Sequence, residues 1–347
     1  MIRIVRHVML MCCLALGSAA FAQTPDTPGE YMEFFTSRST QLSEKFMSYV
    51  SELAHGNRAR KMEKRRLEVV AAIRQALGDA SRVKPYKGDA TLRDAYKNYW
   101  DILLKVFNED YHKIVDMEEI AEQSYDKMEA YLLAQDKAGE VLENASEQIQ
   151  PIYKSFALRN NITLVGGDDT KLEKKMKQVA KVNNYHRPFY LIFFKNFKQE
   201  AYLTEAFNQK DLNRVEQNRE ALARFANEGL KQLDTAHTFN GDGSLLNACR
   251  KYVEYCKDMA ENLVPPQSAF LVKQGEFDKV RKAFEAKPAA QRTQADIDAY
   301  NKAVNEVNEA LALSNKSLEK LNAQRSKVVQ GWENASKSFM ERHIPRN

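Results

Sequence analysis

Alternating β-branched runs are missing almost throughout this chain, and breakers are few: nine prolines and thirteen glycines in 347 residues. The first absence excludes a sheet-based fold, because half-buried strands need period-two alternation. The second leaves the long Ala/Glu/Lys/Leu/Asn/Gln runs uninterrupted, and the chain reads as all-α. Cysteine is short as well. Cys12 and Cys13 lie in the N-terminal apolar run, which leaves Cys249 and Cys256. Seven apart on one helix, these two stand about 10 Å apart along its axis. A disulfide needs Cα atoms within roughly 7 Å. The reading is two buried free thiols, with an intermolecular bridge as the alternative. The H-E-x-x-H, C-x-x-C, G-x-S-x-G and P-loop signatures are also missing.

The N-terminus reads as a secretory signal over residues 1–22. Arg3, Arg6 and His7 form a basic start, Val8 to Gly17 an apolar run, and Ala20-Phe21-Ala22 an A-x-A cleavage site. No small residue precedes Cys12 as a lipobox would require, so cleavage is favoured over lipidation. Losing Arg3 and Arg6 brings the formal charge of +5 still nearer neutral, which gives no push towards nucleic acid. No later run approaches the ~20 apolar residues of a spanning helix. The expected product is exported, in the periplasm or at the cell surface.

One stretch is written twice. Pro85-Tyr86-Lys87-Gly88-Asp89-Ala90-Thr91-Leu92 is echoed 153 positions later by Thr238-Phe239-Asn240-Gly241-Asp242-Gly243-Ser244-Leu245. Each reads as a break with a glycine free to take positive φ, then a helix start. Residues 49–99 and 202–252 share ten identities without gaps, and Phe156-x-x-Arg159 is matched by Phe339-x-x-Arg342. The expectation is two tandem, duplicated helical bundles with long antiparallel helices: a leader at 23–30, a first repeat at 31–165 and a second at 166–347.

Helices are expected from Tyr31 to Ala54, to Leu77, from Leu92 to His112 and on to Ala134, then Val141 to Phe156. In the second half they run Lys171–Val182, Tyr185–Phe207, Leu212–Leu233 and Leu245–Leu263, the last ended by Pro265-Pro266. A shorter helical piece then reaches Glu285, and Pro288 separates it from the final segment. The final segment carries the clearest pattern. Ile297, Val304, Leu311, Leu318, Arg325, Trp332 and Phe339 repeat every seven residues, and Tyr300, Val307, Ser314, Leu321, Val328 and Ala335 follow each of the first six by three. These are a and d positions, with one charged a and one polar d. The stripe could serve self-association; packing within its own chain is the favoured reading.

Few residues suggest chemistry. Glu109-x-x-His112 has metal-ligand spacing on one helical face, but the second pair a di-metal bundle needs is missing, so a solvated face is preferred. Asn240-x-Asp242-x-Ser244 starts like a calcium loop, yet Lys251 stands where the bidentate Glu belongs. No metal or cofactor is assigned. The strongest charge feature is the basic run with Arg58, Lys61, Arg65 and Arg66, opposed by an acidic segment with Glu109, Asp116, Glu119 and Glu122. Either the two pair in a structural network, which is preferred, or the basic run is a surface for an anionic partner. The stretch Tyr185 to Phe197 is apolar all round and reads as a central helix, with a ligand groove as the minority reading.

The run Asn108 to Leu132, with Ser48 to Gly56 and the Arg-Lys-x-Glu-x-Arg-Arg at 60–66, resembles an uncharacterised all-helical bacterial family of surface proteins first named from spirochaetes. The resemblance implies an exported helical protein and no catalytic residues, since that family has no established activity. The expected function is a non-enzymatic binding or scaffolding role at the envelope, towards an envelope component or protein partner. A binding module for a small apolar ligand or lipid is the alternative, and a metal-dependent enzyme the weakest reading.

Overall fold

The computed structural model describes residues 25–55, 59–110, 121, 123–164 and 171–345. The signal segment and Gly56, at the junction of the first two expected helices, lie outside these residues. Among those described, all regular structure is helical, and the only β-type pairings are two isolated bridges, one in each turn. The first half holds α1 (Pro28–His55), α2 (Ala59–Arg82), α3 (Thr91–Lys105) and α4 (Tyr125–Arg159). The second holds α5 (Lys171–Asn208), α6 (Leu212–Asp234), α7 (Ser244–Asp258), α8 (Val264–Ala286) and α9 (Gln294–His343). A π-helical turn follows α3 at Val106–Asp110 and another follows α7 at Met259–Leu263.

Local chemistry starts the helices. Thr27 and Glu30 form a reciprocal cap, each side chain accepting the other's backbone N–H, with Pro28 at the first helical position. Ser124 caps α4, Asp211 caps α6, and Thr293 with Asp296 closes a full capping box on α9.

The structure joins helices that the sequence divides. The expected break between Ala134 and Val141 is absent and α4 is continuous, as is α5 across the expected gap at 183–184. The piece expected to reach Glu285 is α8, and Pro265-Pro266 stands at the boundary before it. Both residues fall in the first turn of α8, straight after the π turn, where a missing N–H forfeits no helical bond.

The two turns have the same geometry. Lys87 and Gly88 take φ of 47° and 85°, and Asn240 and Gly241 take 49° and 86°. Two successive positive-φ residues make a type I′ turn, and the flanking Tyr86–Asp89 and Phe239–Asp242 pairs each exchange two backbone hydrogen bonds. Arg159 on α4 then binds Asp89 (2.7 Å) and Thr91 (2.8 Å). Arg342 on α9 binds Asp242 (2.8 Å) and Ser244 (2.8 Å). An aromatic trio backs each turn: Tyr31, Tyr86 and Phe156 in the first, Tyr185, Phe239 and Phe339 in the second.

One hydrophobic cluster runs through both halves, from Tyr31, Phe35 and Trp100 to Leu222, Tyr252 and Phe339. α4 and α5 meet where the Tyr202 hydroxyl reaches the Gln123 carbonyl (3.4 Å) and Lys195 stands over the Tyr125 ring. The turns and π turns lie 153 residues apart, whereas Phe156 and Phe339, or Arg159 and Arg342, lie 183 apart. The hairpin leaving the second π turn is therefore 30 residues longer than the stretch leaving the first.

Candidate functional site

The charge runs come first. Arg58, Asp116, Glu119 and Glu122 lie outside the residues whose side chains are described. Lys61 is exposed on α2, and Glu109 is exposed in the first π turn. Arg65 is half-exposed and pairs with Glu68 on its own helix (2.8 Å). Arg66 is buried and pairs with Glu63 one turn back (2.7 Å). Its other nitrogen donates to the Phe107 carbonyl inside the π turn (2.5 Å). A π turn shifts the helical hydrogen-bond register, and a guanidinium supplies a donor to a displaced carbonyl. Arg219 repeats the arrangement with Glu216 (2.7 Å) and the Ala260 carbonyl (3.4 Å) of the second π turn. Arg65 and Arg66 thus pair within α2, and Arg66 also serves the π turn.

Asp242, the middle residue of the calcium-like motif, is occupied by protein groups. Burial alone would raise its pKa, but the Ser244 hydroxyl and amide, His343 and Arg342 outweigh that and hold it well below the usual carboxylate range. His112 lies outside the described residues, and among those described no group of three or more His, Cys, Asp and Glu is placed to hold a metal ion.

A polar cluster unsignalled by any motif sits in the second core. Glu200 on α5, 1% exposed, accepts from the Tyr252 hydroxyl (2.9 Å), the Tyr255 hydroxyl (3.2 Å) and Arg325 Nε (2.7 Å). Burial pushes both tyrosines up, and the Glu200 charge adds to it. Burial likewise pushes the neighbouring Cys256 thiol up, with the Glu200 charge again adding, and raises Cys249 to about 12. The hydroxyls stay protonated as donors and the thiols stay protonated and inert. Three donors on one carboxylate make a lock that ties α5, α7 and α9 together. At the 183 and 153 spacings the first half has Leu142, Ile102 and Leu103 where Arg325, Tyr255 and Cys256 stand. Arg325 is the charged a position of the heptad pattern, which was the one sequence signal for this cluster.

The helix expected to be central is largely so. Phe189, Phe193 and Phe194 are buried, and Phe193 stacks on Trp332 at 4.7 Å. Its outer face lines an open cleft of about 550 Å³ with Arg187, Leu191, Ile192, Lys195, Tyr125 and Gln232. Lys195 is held there by Glu228 (3.4 Å) and the Phe225 ring.

A further surface feature is the hairpin of α8 and α9. Past Ser268 no residue of α8 is buried, and before Ser317 none of α9 is. Over this length the two helices pack on each other: Tyr300 lies on Phe277 (5.8 Å) and Phe284 (4.7 Å), and Lys273 bridges to Glu306 (2.9 Å). Ser317 marks the root, its hydroxyl donating to the Leu263 carbonyl at the end of the π turn. The arm beyond is about 30 Å long. Its d residue Tyr300 faces α8, while the a residues Ile297 and Leu311 remain 37% and 38% exposed, and Leu318, just past the root, is 43% exposed. Val272 on α8 is 43% exposed as well.

No family model, curated protein or solved structure matches the chain. No described helix is long and apolar enough to cross a membrane.

Proposed function

We propose that this is an exported, envelope-associated helical protein with a non-enzymatic binding or scaffolding role, and that the α8–α9 arm is its contact surface. The observation that carries the reading is the arm itself. It adds 30 residues to one half only, buries none of its side chains in the body, and leaves a row of heptad a positions half-covered. Apolar side chains in a spaced row on a projecting hairpin are what a helix-docking surface requires. Affinity capture from intact envelopes, with the full chain and with a variant whose arm is shortened to the first-half length, tests it. The full chain retains a partner that the short-arm variant loses; equal recovery by both would sink the reading.

The body is best understood as two duplicated tandem bundles of antiparallel helices. Supporting this are the matched I′ turns, arginine clamps, aromatic trios and π turns, all but the last joined across the same elements. Independent origin would have to produce each coincidence separately.

A second reading, binding of a small apolar ligand or lipid, draws on the cleft beside α5. Its volume is within the usual range for ligand sites. Native mass spectrometry of protein purified from its own envelope would show a retained small molecule; protein of bare mass throughout would count against it.

A further inference from the structure

We infer that the arm pairs with the arm of a second copy of this chain, forming a four-helix layer around a two-fold axis. The inference rests on the reading of the arm as a contact surface and names its occupant. Three observations bear on it. In the body, α9 buries residues of both heptad rows, Leu321 at d and Trp332 and Phe339 at a. In the arm Tyr300 of the d row packs on α8 while Ile297 and Leu311 of the a row stay 37% and 38% exposed, so the stripe is better covered at its body end than at its arm end. What completes such a stripe is another helix packed along it.

The second observation is charge. Between 272 and 286, α8 carries four cations (Lys273, Lys279, Arg281, Lys282) against three anions. Between 294 and 316, α9 carries four anions (Asp296, Asp298, Glu306, Glu309) against two cations. A two-fold axis running along the arm sets α8 of each copy beside α9 of the other, so a helix with one surplus cation meets one with two surplus anions at both contacts. Lys279 and Lys282 against Asp298 and Glu309 are the charges without an ion-pair partner in the arm itself, among the described residues. A surface that carries both halves of its own complement is suited to an isologous contact.

The third is size. A face two helices wide and about 30 Å long offers about 600 Å² per arm, or about 1,200 Å² in all. That is the lower end of the standard range for specific interfaces. A reversible dimer is the expected strength.

The test is sedimentation equilibrium on the mature chain. The wild type is expected to dimerise reversibly. One variant, Lys279→Glu with Lys282→Glu, and another, Asp298→Lys with Glu309→Lys, should each be monomeric with unchanged helical circular dichroism. An equimolar mixture of the two should recover a dimer that weakens with salt. A short-arm variant, its body intact by the same helical signal, should stay monomeric and covers the case in which a charge variant misfolds. A wild type monomeric at every soluble concentration, a dimer that survives arm shortening, or folded charge variants that fail to recombine would each overturn the pairing. If the wild type is monomeric yet the arm still captures another envelope protein, the contact-surface reading stands and only the self-pairing falls.

Discussion

Arg325 and Glu200 are 125 residues apart in sequence and 2.7 Å apart in space, with the carboxylate 2% exposed and the guanidinium 44%. The pair sits where α9 leaves its arm and enters the body. Removing one member of such a pair strands the other. Arg325→Leu should cost about 2–3 kcal/mol, below the value for a fully buried pair because the guanidinium is half in water. The double variant Glu200→Met, Arg325→Leu should recover part of that loss, though the Tyr252 and Tyr255 hydroxyls then lack their acceptor. Urea midpoints of the two singles and the double measure the coupling. Strict additivity would show that the lock contributes nothing beyond its separate side chains.

The two turn glycines give a second expectation. Gly88 and Gly241 have open space where a Cβ would stand, so the cost of alanine comes from positive φ and not from a clash. Gly88→Ala and Gly241→Ala should each destabilise by about 1–2 kcal/mol in thermal melts. Lys87→Asn should go the other way, since Asn suits the first position of a type I′ turn better than Lys and already stands there as Asn240.

His186 makes stability depend on pH. Its ring nitrogen lies 2.7 Å from the Ser336 hydroxyl among the Tyr190, Trp332 and Phe339 rings, and burial lowers its pKa from 6.5 to about 4. Above pH 6.5 the ring is neutral whether the chain is folded or not. As pH falls below that, the unfolded chain takes up the proton first, and stability drops until the folded ring also titrates near 4. At about 1.4 kcal/mol per unit the loss is roughly 3 kcal/mol by pH 4. Denaturant unfolding between pH 7 and 4 should show the slope, and His186→Gln should flatten it. An unchanged slope in that variant would assign it to other groups.

The thiols should be unreactive until the protein opens. Cys249 and Cys256 are buried and unpaired, with thiol pKa values raised by burial. A thiol reagent at pH 8 should modify both at the rate of unfolding, and non-reducing gels should show a monomer. A covalent dimer abolished by Cys249→Ser or Cys256→Ser would contradict this.

Within the basic run, neighbours should behave differently. Arg65→Glu replaces a half-exposed pair with Glu68 and should cost under about 1 kcal/mol. Arg66→Ala removes a buried side chain shared by Glu63 and the Phe107 carbonyl, and should cost about 2–3 kcal/mol in the same melts.

Helix content, the two turns and the final heptad stripe were legible because each is written in neighbouring residues. Lys87-Gly88 and Asn240-Gly241 carry their φ preferences locally, and the 153-residue spacing needs only counting. The Glu200 cluster was not legible, because its donors lie 52, 55 and 125 residues away and no spacing rule links them. Pro265-Pro266 marked a helix boundary by its own chemistry, but the π turn just before it was not legible, because no residue pattern separates a π turn from the α-helix it extends. The exposed a row of α9 was hidden as well, since a heptad pattern looks the same whether one face or two will be covered.

α9 is a single 50-residue helix that lies in two environments. From Leu321 to Phe339 its amides are shielded by the body, and opening them requires disturbing the core. From Gln294 to Ser317 they are shielded by α8 alone. Hydrogen exchange along this one element should therefore fall into two tiers, fast at the N-terminal end and close to the global limit at the C-terminal end, with the step near Ser317. A copy docked on the arm would slow the fast tier and leave the slow one untouched, so exchange along α9 would also report how fully the arm is occupied.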